Sequence, residues 1–321
     1  MSIFLSNSVI AFLFIESILL LLFLYALYPT IEILKNWNFD STEPLQYKLE
    51  KKNYLVATIL FFVILIKIVL FIFFISSLDG LSNIVPGAMC AAGIIGANEY
   101  GNILLFLKIF LIFIFGIWLI IDKLDLVAKN YPYVKIKYTI FLFLFVILSI
   151  EYTLDILYFS NISLETPVLC CSIVFGTSEA INGLPFGLNT NLLLILFYLF
   201  FILIITNNLA KNTLLSFISN FIFLFVGYFS LTYFFGTYIY ELPTHKCPFC
   251  MLQAEYNYIG YILWSSLSLG VFFGIVPFIV QLTTKKLLPI FHTFSIVFNT
   301  IFVLLCTYFV GSYYIKNGVF L

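Results

Sequence analysis

Residues 54–77 read YLVATILFFVILIKIVLFIFFISS, an apolar run interrupted by a single charge, Lys67. About 20 such residues cross the hydrocarbon core of a bilayer as a helix. Runs of this kind lie near 8–29, 54–77, 103–121, 137–158, 190–208, 213–237, 258–281 and 289–312. The chain therefore reads as an all-α polytopic membrane protein with eight transmembrane helices. Between 208 and 213 the only charge is Lys211, which predicts the turn of a tight helical hairpin. The N-terminus lacks a basic region and a small-residue cleavage site, so the first run is expected to be a retained helix.

Composition agrees with this reading. Hydrophobic residues make up 63% and charged residues 9%, with a mean hydropathy of +1.13. Ordinary soluble domains carry about 25% charged residues. Formal net charge is zero, so nothing points to nucleic acid. Every basic side chain other than the two histidines is Lys; with no Arg, no guanidinium is present to clamp a phosphate or a quinone oxygen. No Walker motif, GxGxxG unit or Ser-His-Asp set is found. His245 and His292 fall at opposite faces of the predicted bundle, which argues against a bis-histidine haem. The absence of CxxCH argues against a covalent one.

Lysine distribution predicts orientation. Loop 30–53 carries Lys35, Lys48, Lys51 and Lys52. Loop 122–136 carries Lys123, Lys129 and Lys135, with Lys137 at its edge, and Lys211 and Lys285–Lys286 mark the next two loops on that side. Loops 78–102 and 159–189 have no Lys, and 238–257 has only Lys246. The expectation is N-out/C-out, in a bacterial inner (cytoplasmic) membrane, with the lysine-poor loops facing the periplasm or exterior.

Five cysteines, Cys90, Cys170, Cys171, Cys247 and Cys250, fall in those outer loops, and Cys306 in the outer half of the last span. An oxidising exterior is where disulfides form and persist. Cys247-Pro248-Phe249-Cys250 is a CxxC pair, able to close a small disulfide ring or to clamp a soft metal. Placed at the start of the helix predicted from 258, it would be partly exposed, and the helix dipole and free N–H groups would stabilise a thiolate there. His245 and Lys246 would add to that effect. Three readings follow. One is a redox-active pair. Another is a Cu(I) or Zn(II) clamp formed by Cys247, Cys250 and His245 with other loop cysteines. The third is a structural disulfide. Cys90, Cys170 and Cys171 read as relay cysteines or as loop staples. Glu99, Glu179 and Glu255, at the outer ends of helices, are with His245 candidates to take the thiol protons; the three acids read equally as metal ligands, or as acids solvated at the interface or stabilising a helix N-terminus.

The first two outer loops echo each other. CAAGIIGANEYGN at 90–102 and CCSIVFGTSEAIN at 170–182 share Cys90, Gly96, Glu99, Asn102 and Cys170, Gly176, Glu179, Asn182. Duplication of a four-helix unit would produce this; chance is the alternative.

From about 137 to 281 the chain resembles the vitamin K epoxide reductase family. Cys171-Ser172 to Ser178, then Pro185 and Gly187, stand before the second helix of that stretch, and the CxxC before the fourth. The resemblance implies a four-helix core over this stretch, with one extra helix completing a C-terminal half, 137–321, beside an N-terminal half, 1–136. It implies that Cys247 and Cys250 face a membrane quinone as cofactor. Cys170 or Cys171 would relay electrons from an extracytoplasmic thioredoxin-like thiol protein. The family's two loop cysteines are separated, whereas Cys170 and Cys171 are adjacent and would strain a mutual bond; Cys90 would then supply a partner. The family's quinone-contacting tyrosine falls at Ala254, leaving Tyr256 and Tyr258 as candidates. The function expected is a quinone-linked membrane thiol–disulfide oxidoreductase. The alternatives are a soft-metal (Cu-type) permease or delivery protein, or a non-catalytic subunit of a membrane complex.

Charges inside spans are costly and are usually paired. Glu16 and Lys67 lie at equal depth from the outer ends of their spans, and Lys108 lies near the depth of Glu151 and Asp155. The depth match predicts structural ion pairs, with a proton pathway as the alternative. His292 reads as a lone interfacial residue.

Overall fold

The computed structural model describes residues 3–38, 43–168 and 189–321. Among them are eight helices long and apolar enough to cross a membrane. They are α1 (Asn7–Asn36), α2 (Pro44–Leu81), α4 (Glu99–Val127), α5 (Val134–Ser160), α6 (Thr190–Leu209), α7 (Thr213–Tyr240), α8 (Ile259–Thr284) and α9 (Pro289–Asn317). A short α3 (Ala91–Ile95) precedes α4. No strand occurs among the described residues.

Each helix extends beyond its apolar run, because backbone hydrogen bonding continues into the polar interface. Local chemistry starts several of them. Pro44 and Pro289 sit in the first turns of α2 and α9, where the missing N–H costs nothing. Asn98, Asn189 and Asn212 cap α4, α6 and α7 by accepting from Tyr100 N, Asn191 N and Leu215 N.

The chain divides into two units, Met1–Val168 and Leu169–Leu321. This differs from the division at 136 expected from the sequence. Helix α5 packs against α1 and α4 and so belongs to the first unit. The four-helix core expected over 137–281 thus draws its first helix from one unit and the other three from the second.

The first unit is a ring: α1 packs on α2, α2 on α4, α4 on α5, and α5 back on α1. Phe12, Phe74 and Phe159 form one aromatic layer, with centroids 5.3–6.3 Å apart. Phe23, with Phe115 at 6.3 Å and Phe141 at 5.1 Å, forms another. Polar groups fix the end nearer the α4–α5 turn. Lys137 is buried against Asp122 at 3.0 Å and Asp125 at 2.9 Å, and Tyr138 donates to Asn53 Oδ1 at 2.7 Å. Lys137 is therefore an internal ion-pair partner, a correction to its expected place at a loop edge.

The second unit closes in the same order: α6 on α7, α7 on α8, α8 on α9, and α9 on α6. Phe197, Phe223, Phe235 and Phe302 fill one level. A hydrogen-bonded column fills the next. His292 Nδ1 lies 2.7 Å from Asn208 Oδ1, which also accepts from Ser216 Oγ at 2.9 Å. Asn220 Oδ1 accepts from Ser295 Oγ at 3.2 Å and from Asn299 Nδ2 at 3.0 Å. The Ser216 and Ser295 hydroxyls each share their single proton with a carbonyl as well, that of Gly274 at 3.1 Å and that of Gly270 at 2.9 Å. A methyl group on Gly274 would stand 2.1 Å from Asn220 Nδ2, so the close approach of α7 and α8 requires glycine there. His292 is buried in this column and is not a lone interfacial residue.

Candidate functional site: a clamped CPFC loop

The loop between α7 and α8 carries the CxxC pair. Helix α7 reaches it through a π-turn at Leu231–Phe235, a local widening common near functional sites. The helix ends at Tyr240, and Glu241 turns left-handed with φ 53°. Cys247 to Cys250 follow. Cys250 begins a 3-10 turn, Cys250–Leu252, and a second, Ala254–Tyr256, comes after it. Asn257 and Tyr258 are both left-handed, at φ 51° and 56°, and only then does α8 begin at Ile259. The CxxC pair consequently does not open α8, which corrects the expected thiolate stabilisation by that helix's dipole. Two successive left-handed residues break the backbone direction before the helix can start.

The loop is held by its backbone. Tyr240 Oη donates to the Cys247 carbonyl and accepts from Met251 N at 3.1 Å, bracketing the pair from both sides. Trp264 of α8 donates from Nε1 to the Pro248 carbonyl at 3.0 Å. Met251 is fully buried, and a methyl group on Gly260 would stand 2.5 Å from its Cγ. The His245 ring packs on Tyr240 with centroids 4.2 Å apart, and Tyr256 meets the same ring at 4.8 Å. Lys246 Nζ lies 5.4 Å from the Tyr233 ring centre.

Within this frame the sulfurs of Cys247 and Cys250 lie within 4.8 Å of each other. They are 2% and 6% exposed, which corrects the expectation of a partly exposed pair. Such a pair can close on itself or hold a soft ion. Burial raises the Tyr256 hydroxyl above its ordinary range, and Cys250 and Glu255 add to the rise. Tyr256 thus remains a neutral hydroxyl at physiological pH, able to donate a hydrogen bond.

Cys90 is fully buried and precedes α3 in the first unit. Glu99 is exposed in the first turn of α4, where an acid favours the positive end of the helix dipole. Glu255 and Tyr258 are exposed, and Tyr258 immediately precedes α8 without a side-chain capping bond. Cys306 is buried within α9. Cys170, Cys171 and Glu179 lie outside the described residues. Tyr240 and Trp264 escaped the sequence reading. A tyrosine closing one span and a tryptophan in the first turns of the next were the available signals, but both residue types are common at interfaces.

No protein-family model, curated protein or solved structure matches this chain. The apolar helices define a multi-pass membrane protein.

Proposed function

We propose that the CPFC loop is a redox-active dithiol and that the protein is a membrane thiol–disulfide oxidoreductase linked to a quinone. The observation carrying this reading is the approach of two buried sulfurs in a loop whose backbone Tyr240 and Trp264 hold still. A fixed pair loses little conformational freedom when it closes. The resemblance to the vitamin K epoxide reductase family and the lysine asymmetry support an extracytoplasmic placement in a bacterial inner membrane.

The chemistry balances as follows. The thiols of Cys247 and Cys250 give up two electrons and two protons on forming their S–S bond, and a membrane quinone takes both and becomes quinol. A thioredoxin-like dithiol protein outside the membrane then attacks the disulfide as a thiolate. A mixed disulfide forms, and the partner's second thiol resolves it, restoring the CPFC dithiol. Cys170, Cys171 and Cys90 are the relay candidates on the partner's side. Tyr256 and Tyr258 are the candidates to hydrogen-bond a quinone oxygen.

The purified protein, given a reduced thioredoxin-like protein and a soluble quinone, should consume the quinone. Cys247→Ser and Cys250→Ser should each abolish that activity while leaving the bundle folded. Undiminished quinone reduction in Cys250→Ser would sink the assignment. Stoichiometric copper or zinc in the purified protein, lost in both variants, would replace it with the soft-metal reading.

A further inference from the structure

The centre of the first unit holds a cluster to which every helix of the ring contributes: Glu16 from α1, Lys67 from α2, Lys108 from α4, and Glu151 and Asp155 from α5. Lys67 Nζ bonds both oxygens of Glu16 at 2.9 and 2.8 Å and Glu151 Oε2 at 2.6 Å. Lys108 Nζ bonds Glu151 Oε1 at 2.7 Å and Asp155 Oδ2 at 2.9 Å, and lies 3.7 Å from Glu16 Oε1. No member exceeds 5% side-chain exposure.

The charges do not balance. Three carboxylates face two ammonium groups, leaving one negative charge in surplus. An isolated charge at this depth is strongly disfavoured, and a group so placed takes up a proton instead. The oxygen for that proton is identifiable. Asp155 is fully buried, its Oδ2 is bonded to Lys108, and its Oδ1 has no hydrogen-bond partner. A small cavity of about 10 Å³ lies beside Glu16, Lys67, Lys108 and Glu151. That is about the least space that holds one water molecule.

We propose that this cluster is a proton-binding site, which holds one exchangeable proton on Asp155 Oδ1, while its other four members border the cavity. The groups facing Asp155 are consistent with this. Glu16 and Lys108 come from the helices packed on α5, and Lys67 reaches it through Glu151. The 3-10 turn Ile3–Leu5, also packed on α5, has no titratable side chain. On α5 itself, Tyr158 donates to the Ile94 carbonyl, and Lys137 is paired with Asp122 and Asp125. The site does not depend on the dithiol, and its test does not use quinone chemistry.

The test is infrared spectroscopy of the full-length protein in lipid nanodiscs, with isotope-labelled aspartate, across neutral to alkaline pH. The wild type should show the carbonyl stretch of one protonated aspartic acid at neutral pH and lose it as pH rises. Thermal stability should fall as pH rises from the ordinary carboxylate range, where the folded state still holds a proton that the unfolded state has released, and should level off as the band is lost. Asp155→Asn should lack the band and show a flat stability profile. Glu16→Gln should also lose the band, since removing the surplus charge lets Asp155 ionise between its neighbours. Absence of the band in the wild type, its persistence in Asp155→Asn or Glu16→Gln, or a stability profile following sodium rather than pH would each overturn the proposal.

Discussion

The two four-helix rings have the same order of packing but different centres. In the first, two lysines and three carboxylates meet between Phe12, Phe74 and Phe115. In the second, neutral amides, hydroxyls and one imidazole form a column against two glycine carbonyls. The first solution is all-or-none: the charges satisfy one another only when all four helices are assembled, and removing one strands the rest. The second is graded, because each hydrogen bond between transmembrane helices adds little and the separated helices can find substitute partners. Closeness does what charge does in the other ring. Gly270 and Gly274 let the backbone of α8 come within reach of Ser295 and Ser216.

The sharpest way to break this comparison is Lys108→Met. It leaves Glu151, Asp155 and Glu16 with only Lys67 and should cost about 3–5 kcal/mol, read as loss of folded yield or of unfolding temperature in detergent. A cost no larger than that of a single hydrogen bond in the second ring would erase the distinction. Next is Gly274→Ala, which forces a methyl group against Asn220 and should cost about 1–3 kcal/mol by overpacking. Unchanged resistance to denaturant would show that α7 and α8 are not held at contact by glycine.

Tyr240→Phe sharpens the comparison differently, since it touches the loop and not the ring. It leaves the Cys247 carbonyl and Met251 N–H without their shared hydroxyl. Unsatisfied buried groups cost about 1–3 kcal/mol, and here the cost should be spent locally. Alkylation of Cys247 and Cys250 should quicken while the unfolding temperature of the bundle barely moves. Equal alkylation rates in the two proteins would remove Tyr240 from its clamping role. The smallest effect is expected from Ser216→Ala, at about 0.6 kcal/mol, the average for hydrogen bonds of this kind. A loss several times larger would mean that the neutral column is as cooperative as the charged one.

Much of this was legible in the amino-acid order. Eight spans followed from run length, because a backbone without water must satisfy its hydrogen bonds internally and so must be helical. The pairing of Glu16 with Lys67, and of Lys108 with Glu151 and Asp155, followed from equal depth, because stranded charges are too costly at that level. The second column left a weaker trace. Ser216 and Asn220, Gly270 and Gly274, and Ser295 and Asn299 each lie four apart, on one helix face. Small and weakly polar residues are common enough in spans that this spacing was not read.

Other features were decided by packing. Depth cannot say which helices are neighbours around a ring, so the merger of two ion pairs into one cluster through Lys67 and Glu151 emerged only from the assembled first unit. The boundary after Val168 was likewise set by which face of α5 met α1 and α4. At the CPFC loop, the sequence determined the chemistry available, two thiols with an imidazole and phenols nearby. The tertiary structure determined their reach: left-handed turns at Asn257 and Tyr258 detach the pair from α8, and Tyr240 and Trp264 hold it. Local residue order governs what a segment can do and whether it enters the bilayer. Contacts made by residues far apart in the chain govern which of those capacities come within bonding distance, because only the folded core brings them together.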